Sequence, residues 1–310
     1  MIYRDVLATI GNTPLVNLSH LSPKPSVRIL AKLEGNNPSG SVKDRIALAM
    51  IEDAEARGVL MPGQTILEPS SGNTGIALAM VGRLKGYPVK IVMPDNASIE
   101  RRQLLELFGA EIDLSDGKYG SNGSIDRAYE LAQDRTVYMP YQYGNQANPD
   151  AHYRTTGQEI VDDVPEVDAF VAGLGTGGTL MGVGRRLKDH NPGIRIIAVE
   201  PEQGERVQGL RSLEDGFIPP ILDLDLLDGK IMCDSSVALR AERLLALSEG
   251  IFGGISSGAV IYGAVRVAER MDRGTVVALL ADGGWKYLST GLWLKAPEVF
   301  REDMAGKLWW

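Results

Sequence analysis

At 310 residues, 44% apolar and 23% charged, the chain has the make-up of a globular protein long enough for one large or two modest domains. A net charge of −8 excludes nucleic acid or an anionic membrane surface as the main partner, and a single cysteine, Cys233, excludes an internal disulfide. The early charges of the N-terminus and the lack of any apolar run near ~20 residues predict a cytoplasmic protein without signal peptide or membrane helix.

Strands are predicted over 15–18 and 27–32, which alternate or run apolar and are parted by a turn at Pro23 and Pro25. The stretch Asn36-Asn37-Pro38-Ser39-Gly40-Ser41-Val42-Lys43-Asp44-Arg45 follows. Turn formers crowd its first six positions, and Ser39 or Ser41 can cap a helix predicted over 43–57, with Ile46, Met50 and Ala54 on one face and Gly58 as its stop. Lys43 then sits on the first turn, at the positive end of the helix dipole, where electrostatics alone would not place a cation. It is either a solvated surface lysine or one whose amine serves as a nucleophile, its pKa lowered by positive surroundings and desolvation.

From there strands and helices take turns. Strands are predicted over 65–68, 89–93, 111–114 and 137–139, with helices over 74–85 (ended by Gly86), 98–108 (ended by Gly109) and 125–133; residues 120–122 read as loop. The second half gives strands over 168–172, 194–199 and 275–280, helices over 180–190 and 237–248, and a surface loop over 219–228. Such alternation predicts an α/β fold of mostly parallel sheets covered by helices on both faces, with ligands at the carboxyl ends of strands.

Three glycine-containing loops carry chemistry. Ser70-Ser71-Gly72-Asn73-Thr74-Gly75 joins a strand to a helix, and its small residues let N–H groups and hydroxyls converge on a carboxylate or phosphate; an ordinary capped helix start is the alternative. Gly173-Leu174-Gly175-Thr176-Gly177-Gly178-Thr179 is a second anion cup. It also fits the dinucleotide fingerprint, with Glu200 placed 22 residues after Gly178, but its flanking threonines suit a single phosphate monoester, and a nicotinamide enzyme leaves the Lys43 and Asn73 loops without a role. Gly254-Ile255-Ser256-Ser257-Gly258 matches a hydrolase nucleophile elbow. That reading fails because His20, His152 and His190 all precede the serine, and these three with one distant cysteine offer no metal-ligand spacing.

One ligand reconciles the loops. Pyridoxal phosphate needs an amine for its aldehyde, a phosphate cup, and partners for its ring oxygen and ring nitrogen. Ile10-Gly11-Asn12-Thr13-Pro14-Leu15, the run from Pro38 to Arg45, the Ser70–Gly75 loop, Tyr141-Gln142-Tyr143, Gly175–Thr179, Gly254–Gly258 and Tyr287-Leu288-Ser289-Thr290-Gly291 together resemble, in order and over nearly the whole chain, the fold type II pyridoxal-phosphate enzymes, and within them the cysteine synthases. The resemblance implies a tryptophan synthase β-like fold with two domains, a smaller mobile one over 35–145 and a larger one of 1–34 plus 146–310, in a homodimer. It implies Lys43 as the Schiff-base lysine, Asn73 at the ring hydroxyl, Gly175, Thr176, Gly177, Gly178 and Thr179 around the phosphate, and Ser256 at the ring nitrogen. Ser70, Ser71, Gly72, Thr74 and Gln142 would hold the substrate carboxylate. The implied reaction is loss of a leaving group from Cβ of an activated serine, an α-aminoacrylate intermediate, and addition of a sulfur nucleophile to give L-cysteine. A neutral serine hydroxyl at the ring nitrogen makes the ring a weaker electron sink, which favours β-elimination over transamination.

Arg211, in Gly209-Leu210-Arg211-Ser212-Leu213, makes the resemblance one to the cysteine synthase B branch, including the O-phosphoserine sulfhydrylases. A guanidinium grips a phosphate bidentately, so O-phosphoserine is expected as a substrate beside or in place of O-acetylserine; the alternative is a surface arginine paired with Glu214 or Asp215. Ala281-Asp282-Gly283-Gly284-Trp285-Lys286 and the tail Gly306-Lys307-Leu308-Trp309-Trp310 are similar to phosphoserine-using relatives, in which the tail folds into the cleft; docking elsewhere on the chain or at a dimer contact is the other reading. Sulfide, thiosulfate (giving S-sulfocysteine) and a carrier-protein thiocarboxylate remain open as sulfur donors. A β-eliminating lyase or dehydratase and a non-catalytic ligand-binding relative are the rival functions.

Overall fold

A computed structural model describes residues 2–70, 72–205, 207–291 and Trp293, so Ser71 and the tail residues Leu308, Trp309 and Trp310 lie outside the described residues. The first half runs β1 (Leu15–Asn17), β2 (Val27–Leu33), α1 (Lys43–Ala56), β3 (Thr65–Pro69), α2 (Asn73–Lys85), β4 (Val89–Pro94), α3 (Ile99–Leu107), β5 (Glu111–Ser115), α4 (Gly120–Leu131) and β6 (Val137–Tyr138). The second runs α5 (Ala147–Arg154), α6 (Thr156–Asp163), β7 (Ala169–Gly173), α7 (Gly178–His190), β8 (Arg195–Pro201), β9 (Gly229–Cys233), α8 (Ser235–Glu249), α9 (Ile255–Glu269) and β10 (Gly274–Leu280).

The strands form two sheets. One is wholly parallel with order β5-β4-β3-β6; the other has order β1-β2-β10-β7-β8-β9 and is parallel except where β1 meets β2. The reason is legible strand by strand. In the six-stranded sheet Ile29, Val171, Val199 and Val276 point to the face covered by α8 and α9, while their neighbours Leu30, Phe170, Ile196 and Val277 point to the face covered by α6 and α7. In the four-stranded sheet Ile66, Ile91 and Met93 meet α1 and α2, and Leu67 and Val92 meet Ala128 of α4. A parallel strand buried on both faces has no reason to alternate, and these do not. Among the described residues no helix is long and apolar enough to cross a membrane.

The structure departs from the expectations in a few places. Residues 120–122, read as loop, open α4, because a 3₁₀ turn at Gly117–Tyr119 winds into the helix and the Ser115 and Ser124 hydroxyls, 2.8 Å apart, pin its first turns to β5. Ser39 does not cap α1: its N–H donates to Asp44 Oδ2 at 2.6 Å and its hydroxyl to Asp44 Oδ1, while Ser41 Oγ accepts from the Lys43 N–H at 3.2 Å. The 219–228 segment is partly packed, Leu222, Leu226 and Leu227 lying on the α7 side of the core.

A buried ion cluster ties α1 to the six-stranded sheet. Arg45, two residues past Lys43, donates to Glu34 and Glu159, with Nε–Oε2 and Nη1–Oε1 distances of 2.8 and 2.6 Å. Lys32, fully buried on β2, reaches Glu159 at 2.7 Å and the Thr13 carbonyl at 2.6 Å. The Ile10–Leu15 motif closes this cluster: the Thr13 hydroxyl donates to Glu34 at 2.7 Å and the Asn12 N–H to Glu159 at 3.0 Å.

Candidate active site

A cleft of about 1200 Å³, open mouth included, lies between the two sheets. Its walls come from the carboxyl ends of β3 (Pro69, Ser70), β4 (Pro94), β7 (Gly173) and β10 (Leu279, Ala281), as the topology of open α/β sheets requires. Lys43, Ser70, Gly72, Asn73, Thr74, Gln142, Gly175, Thr176, Gly177, Thr179, Arg211 and Ser256 all face this one cavity. Gly178 stands just behind it as the first residue of α7. A side-chain carbon there would come within 1.9 Å of Asn148 Oδ1, so only glycine lets the loop approach.

Lys43 opens α1 and is half-buried. Desolvation brings its amine down to about 8, against the opposing pull of Asp282 and Glu34. A second lysine, Lys286, is more deeply buried, but its amine donates to Asn73 Oδ1 at 2.7 Å and to the Gly40 carbonyl at 3.2 Å. The Asn73 amide is thus oriented from both ends, since its Nδ2 donates to Asp282 Oδ2 at 2.7 Å; the Tyr287 hydroxyl donates to the same oxygen.

The glycine cup sits at the N-terminus of α7, with Gly177 at φ 87° and the Gly178 N–H donating to Thr176 Oγ1 at 3.3 Å. Thr176 Oγ1 accepts from Asn148 Nδ2 at 3.2 Å. Thr179 Oγ1 lies 3.2 Å from Nε2 of His152, a ring that burial, and then Lys43 and Arg45, keep neutral. On the opposite wall Thr74 donates to Gln142 Oε1 at 2.7 Å, and the Gln142 carbonyl accepts from Asn148 Nδ2 at 2.9 Å. Asn148 therefore links the two cups. Ser256 begins α9 with its hydroxyl at the cavity wall. The residues fit pyridoxal phosphate: a low-pKa amine, an anion cup at a helix start with two threonine hydroxyls, an oriented amide and a neutral hydroxyl line one cleft.

Two neighbours of the cleft, Glu68 and Arg101, stand in none of the motifs singled out in the sequence. Glu68, at the end of β3, is fully buried and accepts the N–H groups of Tyr141 (2.8 Å) and Gln142 (3.0 Å), holding Tyr141 at φ 55°. Burial pushes this carboxyl up to about 7, although both N–H groups pull it down. A Glu two residues before Ser70 in an otherwise apolar strand was the available signal. Arg101 is buried on α3, lines the cavity and stands 5.3 Å over the Tyr287 ring. Arg211 is stacked between Tyr143 and Phe217, its guanidinium carbon 5.0 and 4.8 Å from the ring centroids. Cys233 is buried with its thiol pushed up to about 12, which suits packing rather than nucleophilic attack.

Glu68 gives a pH prediction. Below about 7 the protonated acid loses acceptor capacity toward the Tyr141–Gln142 turn, so KM for the amino-acid substrate should rise several-fold between about pH 8 and pH 6. In Glu68→Gln the KM should be raised and flat over that range. Its folded-state value lies above the ordinary 4.5, so ionisation costs stability as pH rises from 4.5 through about 7, a loss the Gln variant escapes. Urea titrations of both proteins at several pH values check this, and parallel curves would count against it.

The family model for pyridoxal-phosphate dependent enzymes matches residues 6–282. A cysteine synthase of Staphylococcus aureus is 45% identical over 299 residues, covering 93% of this chain and 96% of that protein. Cysteine synthase B of Escherichia coli strain K12 is 44% identical over 285 residues, covering 92% and 94%. Among solved structures, an O-ureido-L-serine synthase superposes with a TM-score of 0.90 at 39% identity, covering 97% of this chain and all of that one, 100%. The Entamoeba histolytica cysteine synthase gives 0.90 at 37% identity, covering 98% and 96%.

Proposed function

This chain belongs to the pyridoxal-phosphate dependent enzymes, and we propose that it makes L-cysteine by replacing the leaving group on the β-carbon of an activated serine with a sulfur nucleophile. The observation that carries the reading is the half-buried, easily deprotonated Lys43 amine in one cleft with two anion cups. When bound, pyridoxal phosphate supplies the electron sink that makes Cα acidic and expels the β-substituent.

Lys43 would hold the cofactor by its aldehyde, and its Nζ is the base that would take the Cα proton. Gly175, Thr176, Gly177, Gly178 and Thr179 hold the phosphate, Asn73 meets the ring oxygen, and Ser256 offers the ring nitrogen a neutral hydroxyl. The substrate carboxylate goes to Ser70, Ser71, Gly72, Thr74 and Gln142. Residues 35–145 form the smaller unit that closes over this carboxylate and excludes water from the reacting carbon. The protein acts in the cytoplasm as a homodimer.

O-phosphoserine is the substrate that Arg211 supports. Its guanidinium is held between two rings at the cavity wall, pre-ordered for a bidentate grip on a phosphate. Arg211→Ala should lower kcat/KM for O-phosphoserine about 10–100-fold, the worth of a hydrogen-bonded charge, with O-acetylserine changed less than about threefold. Equal losses for both would remove Arg211 from the phosphate site. The decisive assay crosses the two activated serines with sulfide, thiosulfate and a carrier-protein thiocarboxylate, reading cysteine, S-sulfocysteine and pyruvate; pyruvate without donor-dependent cysteine would make the protein a β-eliminating lyase.

A further inference from the structure

Behind the segment that delivers Ser256 to the cleft lies an acid that the proposed chemistry does not use. Glu242, on α8, is fully buried; its Oε1 accepts the Gly253 N–H at 2.8 Å, and its Oε2 has no partner. The first turn of α9 presses on α8 so closely that a carbon on Gly258 would stand 2.0 Å from the Ala238 carbonyl and 2.8 Å from Glu242 Cβ. In the same contact Ser257 Oγ is buried and also without a partner. The two orphaned oxygens flank a single point: a carbon on Gly253 would lie 2.9 Å from Ser257 Oγ and 3.2 Å from Glu242 Oε2. The two oxygens are not hydrogen-bonded to each other, so Glu242 is left with the Gly253 N–H as its one hydrogen bond, too little to hold a buried carboxylate charge.

The charges around Glu242 favour its neutral form. On the other side of the Gly253–Gly254 backbone stands Asp282, whose Oδ1 would lie 2.2 Å from a carbon on Gly254. Asp282 accepts from Asn73 and Tyr287 and feels Lys43 and Lys286. Glu242 has no such help: among the described residues the charged group acting on it is Asp282, a like charge. Burial first, and then Asp282, push Glu242 up to about 9.

We propose that Glu242 is a positioning residue which, as the neutral acid, accepts the Gly253 N–H and so fixes the turn that leads Ser256 into the cleft. Its bearing on the cofactor's ring nitrogen rests on the place proposed for Ser256; the protonation and the clamp stand without it.

Infrared difference spectra of the full chain without cofactor, wild type against Glu242→Gln, test the proton directly. At neutral pH the wild type should show the carbonyl stretch of a buried carboxylic acid, absent from the variant and lost on titration through about pH 9. Carboxylate bands in its place at pH ~7 overturn the proposal. In the loaded protein Glu242→Gln keeps an uncharged acceptor for the Gly253 N–H, so its cofactor absorption and fluorescence should match the wild type near neutrality, while Glu242→Leu shifts both. The wild type should also pass through an alkaline spectral transition that the Gln variant lacks. A Gln spectrum displaced like that of the Leu variant, or one that keeps the alkaline transition, refutes the clamp. Should the cofactor fail to bind at all, the proposed function falls and the infrared result still decides Glu242.

Discussion

Lys43→Ala is expected to lower kcat/KM by about 10⁴-fold, because in the proposed function one amine would both anchor the cofactor and move the Cα proton. Its place at the start of α1 does not hold it by attraction; the dipole of that helix end repels a cation. Desolvation and the dipole together favour the neutral amine, and the value of about 8 leaves an appreciable neutral fraction near physiological pH. The rate of proton abstraction should therefore climb with pH through about 8. Lys286 is the competing amine, and its geometry argues against it, since both of its hydrogen bonds go to fixed protein oxygens. Borohydride reduction of the loaded protein followed by peptide mapping separates the two. The label is expected on Lys43 alone, and a label on Lys286 would reverse the assignment of the whole site. A Lys43→Ala protein with its activity intact would do the same.

Arg45→Met is expected to cost about 3–5 kcal/mol of stability, the largest loss foreseen for a residue outside the cleft. The guanidinium is buried between Glu34 and Glu159, and removing it leaves two carboxylates with Lys32 as their nearest remaining cation. For a chain of this size the loss should lower Tm by roughly 10 °C. Adding Glu159→Gln to Arg45→Met should recover part of it, because one uncompensated charge is then gone. The same cluster sets the acid limit. Arg45 and Lys32 outweigh burial and hold Glu159 down at about 2, below its ordinary 4.5. Its contribution is therefore complete above pH 4.5 and lost as pH falls toward 2. Thermal melts of wild type and both variants between neutral and acid pH check this; a Met variant as stable as wild type would mean the cluster only fixes geometry.

Much of this protein was written locally. The apolar runs at 65–68, 89–93 and 168–172, each followed by a helix pattern and the first two of these stopped at Gly86 and Gly109, were enough to give parallel sheets covered on both faces. The glycine loops read as anion cups because small residues and threonines at a strand-to-helix turn let N–H groups and hydroxyls converge. Ser256 and Ser257 were visible as a motif but not as a helix start, since α9 is nearly all apolar or small and shows no polar face to mark its period. Helices α5 and α6 were missed for a related reason: Pro149 and the polar Asn148, Asp150 and Gln158 give no local helix signal, and the two form by packing on α7.

Sequence alone determined the alternation of most strands and helices and picked out the loops and the lysine proposed to act, because these depend on residues close together in the chain. Which loops face the same cleft was decided only in three dimensions. Glu68 beneath the Gln142 turn, Asp282 and Lys286 on the two ends of Asn73, and Asn148 between the cups are pairs separated by tens to hundreds of residues. Burial is a property of the assembled core, and burial is what brings Lys43 down and raises Glu68 and Glu242.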